Sequence, residues 1–282
     1  MGVRVDRAAF ATLVTLGYAV LLAAPLIVGY YAFSPTVVLE WPPTGLTLAW
    51  FRHALEQPRL VTGLVTSAVV AAGATAAALA FGVPAALALG RGHLPGRRWL
   101  TALLLSPLTL PGLVLAIGVL MFAVALVQPL SPWAVTGGPA PLVGAHVIIT
   151  VPWVMRTTLA GLEAADATLE DAARGLGAGP LETFRLVTLP LVKPAIAAGA
   201  MFAFIVSFGN FALSLFFTSG RLTTLPVAIF EYVDQFQDPT VAAMSSLVIA
   251  ATVAVIVVLE RTTALFGVTP AEARRHALGR RT

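Results

Sequence analysis

Two groups of polar side chains in this sequence stand inside apolar runs. Ser207, Asn210 and Ser214 follow at i, i+3 and i+7, with Phe208 and Phe211 beside them. That spacing puts the three on one face of a helix. His146, Thr150, Trp153 and Thr157 form a second stripe of this kind. Hydroxyl and amide groups so placed exchange hydrogen bonds either with a solute passing along the face or with a neighbouring helix. Both uses stay open for Ser207, Asn210, Ser214, Phe211 and Trp153. Covalent chemistry finds no support, because there is no Ser/His/Asp constellation and cysteine is absent. His53, His93, His146 and His276 are too scattered for ligand spacing, so neither a catalytic residue nor a metal site is assigned. The sole lysine, Lys193 in Leu-Val-Lys-Pro, has no Gly-x4-Gly-Lys-Ser/Thr loop before it to cradle nucleotide phosphates.

The elements that must carry these residues are apolar helices. The sequence is 58% hydrophobic and 11% charged, with a mean hydropathy of +0.91, whereas soluble domains carry about a quarter charged residues. Runs long enough to cross a bilayer, roughly 20 residues each, predict six spans: 10–33, 61–89, 99–127, 142–162, 194–217 and 241–259. The first follows Arg4 and Arg7 and contains Ala23 and Ala24. Its apolar core exceeds the 7–15 residues of a signal-peptide core, so it reads as a retained helix. All but Arg52, Arg59 and Arg221 of the 17 basic residues fall on one side of this arrangement. By the positive-inside rule both termini are cytoplasmic. The basic residues sit at helix ends, so the pI near 10.1 reflects membrane orientation rather than nucleic-acid binding. On the opposite side, residues 34–60 contain Trp41, Trp50 and Phe51, aromatics suited to an interfacial helix. Glu231, Asp234 and Asp238 fall in an outer loop.

Between the fourth and fifth spans lies a polar insertion, 163–193, with a helical pattern of its own. Thr168 followed by Asp171 predicts a capping box. Leu169, Ala172, Ala173 and Leu176 then share an apolar face, Gly177 and Gly179 end the helix, and Pro180 opens a second helix, 181–187, with Pro190 after its end. Such a pair suits docking against another protein, or packing on the membrane face.

The spacing Asp171-Ala172-Ala173-x3-Gly177-x9-Val187-x-Leu189-Pro190 resembles the EAA signature of ABC importer permeases, E-A-A-x3-G-x9-I-x-L-P, with Asp for Glu and Val for Ile. Leu48-Ala49-Trp50-Phe51, residues 85–91, Pro107, Pro111, residues 216–220 and Thr224-Leu225-Pro226 resemble the second permease of spermidine/putrescine-type importers. The resemblance implies an all-α integral membrane protein of the type I importer (MetI-like) permease fold, a single permease domain over 1–282, in a bacterial cytoplasmic (inner) membrane. It implies that Asp171, Ala172, Ala173, Gly177, Val187, Leu189 and Pro190 couple the chain to cytoplasmic ABC ATPase subunits. Those subunits would use ATP and Mg, while this chain binds no cofactor and is not itself an enzyme. A second permease subunit, an extracytoplasmic solute-binding protein and membrane lipid complete the implied partners. Where polyamine permeases of this type commonly carry acidic residues, this sequence has Gly209 and Asn210, so beside a polyamine-like solute an organic anion, an amino-acid derivative or another small organic molecule is expected. The rival expectation is a self-sufficient secondary transporter or channel, against which stand the lack of an inverted repeat and of a buried charge pair.

Overall fold

The computed structural model describes residues 7–38, 40–42, 44–92, 94–129, 135, 138–218, 220 and 222–265. Arg4, His93, Ser219, Arg221 and the basic residues of the tail, Arg274, Arg275, Arg280 and Arg281, lie outside the described residues. The described elements are helices, which satisfy the backbone polar groups of their interior within the segment, as hydrocarbon demands. They are α1 (Arg7–Ala32), α2 (Ala49–Glu56), α3 (Pro58–Arg91), α4 (Arg97–Leu108), α5 (Gly112–Val127), α6 (Pro139–Ala164), α7 (Ala167–Gly175), α8 (Pro180–Phe208), α9 (Phe211–Phe217), α10 (Leu225–Gln235) and α11 (Thr240–Leu265). Among the described residues α1, α3, α6 and α8 are each long and apolar enough to cross a membrane. The α4–α5 pair adds a fifth crossing if its two halves form one bent span, and α11 carries a shorter apolar stretch, Thr240–Ala254.

The chain forms two compact units, residues 1–60 with 231–282, and residues 61–230. In the first unit α1 and α2 each pack on α11. The aromatic segment expected at an interface does fold as a short helix, α2. It is held by Trp50 Nε1, which donates to the Ser34 carbonyl at 2.8 Å, by the Phe33 and Phe51 rings at 4.9 Å, and by His53 Nδ1 against Thr240 Oγ1 at 2.9 Å. Asp238 Oδ1 accepts from the Thr240 backbone N–H at 2.9 Å and starts α11. Arg59 meets Glu231 through both carboxylate oxygens, with Nη2 at 2.7 Å from Oε1.

In the second unit the predicted third and fifth spans, 99–127 and 194–217, are each broken into two helices rather than formed by one. The third bends by 107° between α4 and α5. Pro111 has no N–H to continue the ladder and takes an extended ψ of 132° as it leads into α5. Thr109 closes the end of α4 by donating from both N and Oγ1 to the Ser106 carbonyl. The fifth is unbroken only to Phe208. There Asn210 Oδ1 accepts from the Leu213 N–H at 2.9 Å and caps a new helix, α9. Small residues let the long helices approach closely. A Cβ on Gly199 of α8 would stand 2.3 Å from Thr157 Oγ1 and 3.0 Å from Val154 Cα of α6, and one on Gly82 of α3 would stand 3.1 Å from Val154 Cβ. Gly63 and Gly73 are similarly crowded, whereas Gly118 faces open space. One cluster of the apolar core gathers Val70, Ala116, Leu142, Ala145, Leu213 and Phe217, and another places Val154 with Ala78 and Ala203.

Candidate functional site

The insertion between α6 and α8 forms a helix, a corner and the start of a second helix. Asp166 caps α7, its Oδ1 accepting from the Thr168 N–H at 3.0 Å and from Thr168 Oγ1 at 2.8 Å. The predicted capping box of Thr168 with Asp171 is therefore not formed. Thr168 already lies inside the helix, and Asp171 instead accepts from Arg174 Nη1 at 2.9 Å. At the other end the Gly177 N–H bonds the Arg174 carbonyl at 3.0 Å and the Ala178 N–H bonds the Ala173 carbonyl at 3.1 Å. This is a Schellman motif, and Gly177 takes the φ of +94° that it needs. Gly179 then heads α8, its N–H donating to Glu182 Oε2 at 3.1 Å.

Pro190 was expected to follow the end of the second helix, and here the structure differs. α8 runs unbroken from Pro180 to Phe208, so the second helix of the insertion and the fifth span are one rod. Residues Phe184–Thr188 are wound as a π-helix. The wider turn makes room for the Pro190 ring, which would otherwise press on the Leu186 carbonyl.

The apolar stripe of α7 points outward: Leu169 is exposed and Leu176 is 91% exposed, joined along α8 by exposed Leu181 and Leu186. Ala172 is exposed, Ala173, Val187 and Leu189 are half-buried, and Pro190 is exposed. The inward side carries a carboxylate instead. Glu170, at 3% exposure, receives Arg91 Nε on both oxygens at 3.0 and 3.2 Å, and Arg174 Nη2 at 3.5 Å. Sequence reasoning singled out neither Glu170 nor its pairing with Arg91, and the pair, with its carboxylate buried, corrects the expectation that the chain holds no buried charge pair. The only hint is a glutamate directly before the motif acid, at a position where a helix with an apolar outer stripe must turn inward.

Of the five candidate pathway residues, two converge. His146, buried in α6, lies with Nδ1 2.8 Å from Ser207 Oγ and Nε2 3.4 Å from Ser214 Oγ. One imidazole thus joins a residue at the end of α8 to a residue in α9, across the break. Asn210 does not join them, since its side chain is turned to the α9 cap. Trp153 stacks on Phe202 at 5.4 Å, and Phe211 lies against Phe230 at 5.2 Å.

Residues 78–266 match the family described as "Binding-protein-dependent transport system inner membrane component". The chain is 30% identical over 238 residues to the putrescine transport system permease protein PotI of Escherichia coli (strain K12), covering 84% of each. It is 26% identical over 219 residues to the spermidine/putrescine transport system permease protein PotC of Haemophilus influenzae, covering 78% of this chain and 82% of the relative. It is 30% identical over 219 residues to a putative 2-aminoethylphosphonate transport system permease protein, PhnV, of Salmonella typhimurium, covering 78% and 80%. Among solved structures, a chain of a bacterial ABC transporter involved in the import of the acidic polysaccharide alginate superposes with a TM-score of 0.66 at 18% identity, over 93% of this chain and 98% of that one.

Proposed function

The chain belongs to the family of binding-protein-dependent transport system inner membrane components and is a permease subunit of an ABC importer, and from that premise we propose that α7, the Gly177 corner and the first turns of α8 dock a cytoplasmic ATPase. The observation that carries this reading is the outward apolar stripe. Leu169, Leu176, Leu181 and Leu186 lie exposed on a segment that bends back on a glycine corner, a surface whose burial rewards association with a protein groove. Asp171, Ala172, Ala173, Gly177, Val187, Leu189 and Pro190 lie along the same segment and are the proposed coupling residues. Small side chains at 172 and 173 let a partner approach the helix backbone. The ATPase supplies ATP hydrolysis with Mg, and this chain contributes the conduit and the lever.

The complex we propose also contains a second permease and an extracytoplasmic binding protein, in a bacterial inner membrane with both termini inside. The solute is a small organic molecule, and the named cargoes of the relatives above, putrescine, spermidine and 2-aminoethylphosphonate, make amine-bearing compounds the first to try. Ser207 and Ser214 with His146, and Asn210, Phe211 and Trp153 around the α8–α9 break, are the proposed pathway region.

The test is purification from native membranes with reconstitution in liposomes. A stoichiometric ATPase should accompany the permease, and uptake should require ATP and a binding protein. Cysteines placed at Ala178 and Asp234 should label only from the cytoplasm and only from outside, respectively. Full transport by this chain alone, or labelling of Ala178 from outside in intact cells, would overturn the reading.

A further inference from the structure

We infer that Arg91 is a positioning residue that ties the end of α3 to the docking helix α7, so that α3 moves with α7 during transport. The inference rests on the coupling role proposed for α7. A displacement of α7 reaches α6 and α8 through the chain itself, because α7 is continuous with both. It has no such route to α3, whose last residue, Arg91, stands 79 residues before Glu170. The ion pair supplies that route.

The geometry favours a tie over a merely stabilising contact. Glu170 is nearly fully buried, and its two oxygens are gripped by a single Arg91 Nε at 3.0 and 3.2 Å. Arg91 Nη2 is buried with no hydrogen-bond partner among the described residues. An ion pair whose carboxylate is buried, with its cation 27% exposed, is a poor source of stability compared with apolar side chains of the same volume, the more so when one of its donors is left unmet. What it provides is a directional attachment between two particular points. Elsewhere α3 is joined to α6, by apolar contacts such as Leu89 with Met155 and Leu159 and by the 3.4 Å hydrogen bond from Thr150 Oγ1 to the Ala74 carbonyl, and none of these contacts involves α7. Arg174, on α7 itself, gives Glu170 a second cation at 3.5 Å, so removing Arg91 does not strand the carboxylate. The tie can therefore be cut while the docking helix survives.

The experiment uses the full importer in liposomes with its ATPase and binding protein. Arg91→Gln should reach the membrane and hold the ATPase at wild-type levels, yet lose uptake at least tenfold while hydrolysis ceases to respond to loaded binding protein. Arg91→Lys, which keeps the charge, should retain more uptake than Arg91→Gln. The natural chain has no cysteine, so Arg91→Cys/Glu170→Cys carries only two thiols. A short reducible bifunctional thiol reagent, needed because a long ion pair spans more than a disulfide can, should restore uptake to within about threefold of wild type, and dithiothreitol should abolish it again. Three results would overturn the inference: wild-type uptake by Arg91→Gln; a cross-linked protein that binds ATPase but does not transport, which would mean that α3 and α7 must separate; or loss of Arg91→Gln from the membrane that the reversed pair Arg91→Glu/Glu170→Arg does not mend. Failure of the wild-type chain to bind any ATPase would sink the coupling reading itself, a distinguishable outcome.

Discussion

Replacement of Gly177 by valine should separate transport from folding. Its φ of +94° is forced by the Schellman bonds of Gly177 to Arg174 and of Ala178 to Ala173, and an L side chain there costs about 1–2 kcal/mol. The alternative is to relax to a negative φ and give up two hydrogen bonds, each worth about 0.5–1.5 kcal/mol net. Either route disturbs the corner by about 1–3 kcal/mol and little else, because a Cβ at Gly177 would meet no atom of the chain within 4 Å. Since about 1.4 kcal/mol is a tenfold change in an equilibrium, the balance between docking-competent and relaxed corners should shift by about fivefold to a hundredfold. A branched side chain also adds bulk on the surface proposed to meet the ATPase. Uptake should therefore drop about fivefold or more at normal membrane abundance, with ATPase co-purification reduced. Gly175→Ala is the control: it adds a methyl group on the same helix, again with no atom within 4 Å and no positive φ, and should transport normally. Wild-type uptake by Gly177→Val would refute the argument, and so would a loss of uptake that merely tracks a loss of protein.

Three further outcomes are expected. Gly199→Leu should cost about 1–3 kcal/mol or more by overpacking α6 against α8 and deplete the protein from membranes, whereas Gly118→Leu, facing open space, should accumulate normally by immunoblot. Asn210→Leu removes the α9 cap, about 1 kcal/mol; with assembly intact, uptake or solute preference should change while Asn210→Ser, which keeps a capping oxygen, stays close to wild type, and unchanged uptake in Asn210→Leu would remove this residue from the pathway region. The Glu231 carboxyl is held below its ordinary value by the hydrogen bond from Arg59, so its contribution is present above the ordinary carboxylate pKa and disappears as the pH falls through the lowered one. For a half-exposed pair that contribution is about 0.2–1 kcal/mol, and the melting temperature of Glu231→Gln should lie below wild type at neutral pH and converge with it in acid; a gap that widens in acid would contradict the assignment.

Span positions were legible because apolar length alone sets them: 61–89 and 142–162 fall inside α3 and α6. The breaks were not legible from periodicity, which counts residues as if the helix were continuous. Ser207, Asn210 and Ser214 satisfy the helical spacing on paper, yet Asn210 uses its amide to start a new helix, a local capping choice that the period cannot register. Pro190 misled in the opposite direction, since a π-wound turn just before it absorbs the ring and lets the helix continue. Glu170 was hidden for another reason. The apolar side of a short helix reads as its inward side in an isolated soluble chain, but here that side is the exposed one, and the carboxylate is buried because an arginine 79 residues away reaches it.

The continuity of α8 changes how the two candidate regions relate. Its 29 residues span about 43 Å at 1.5 Å per residue, from the corner beside Gly179 to Phe208, and Ser207 lies one residue before that end. A force applied at Leu181 is thus applied to the same rod that carries Ser207, with the π-wound stretch at Phe184–Thr188 as its one irregular winding. Where the rod stops, His146 holds Ser207 on one side and Ser214 on the other. The bond to Ser207 is the shorter, at 2.8 Å against 3.4 Å. On the coupling reading, the break at Gly209–Asn210 is then the place where motion of the docking helix becomes a change of angle between α8 and α9, and the imidazole sets how much of that motion is needed before the two part.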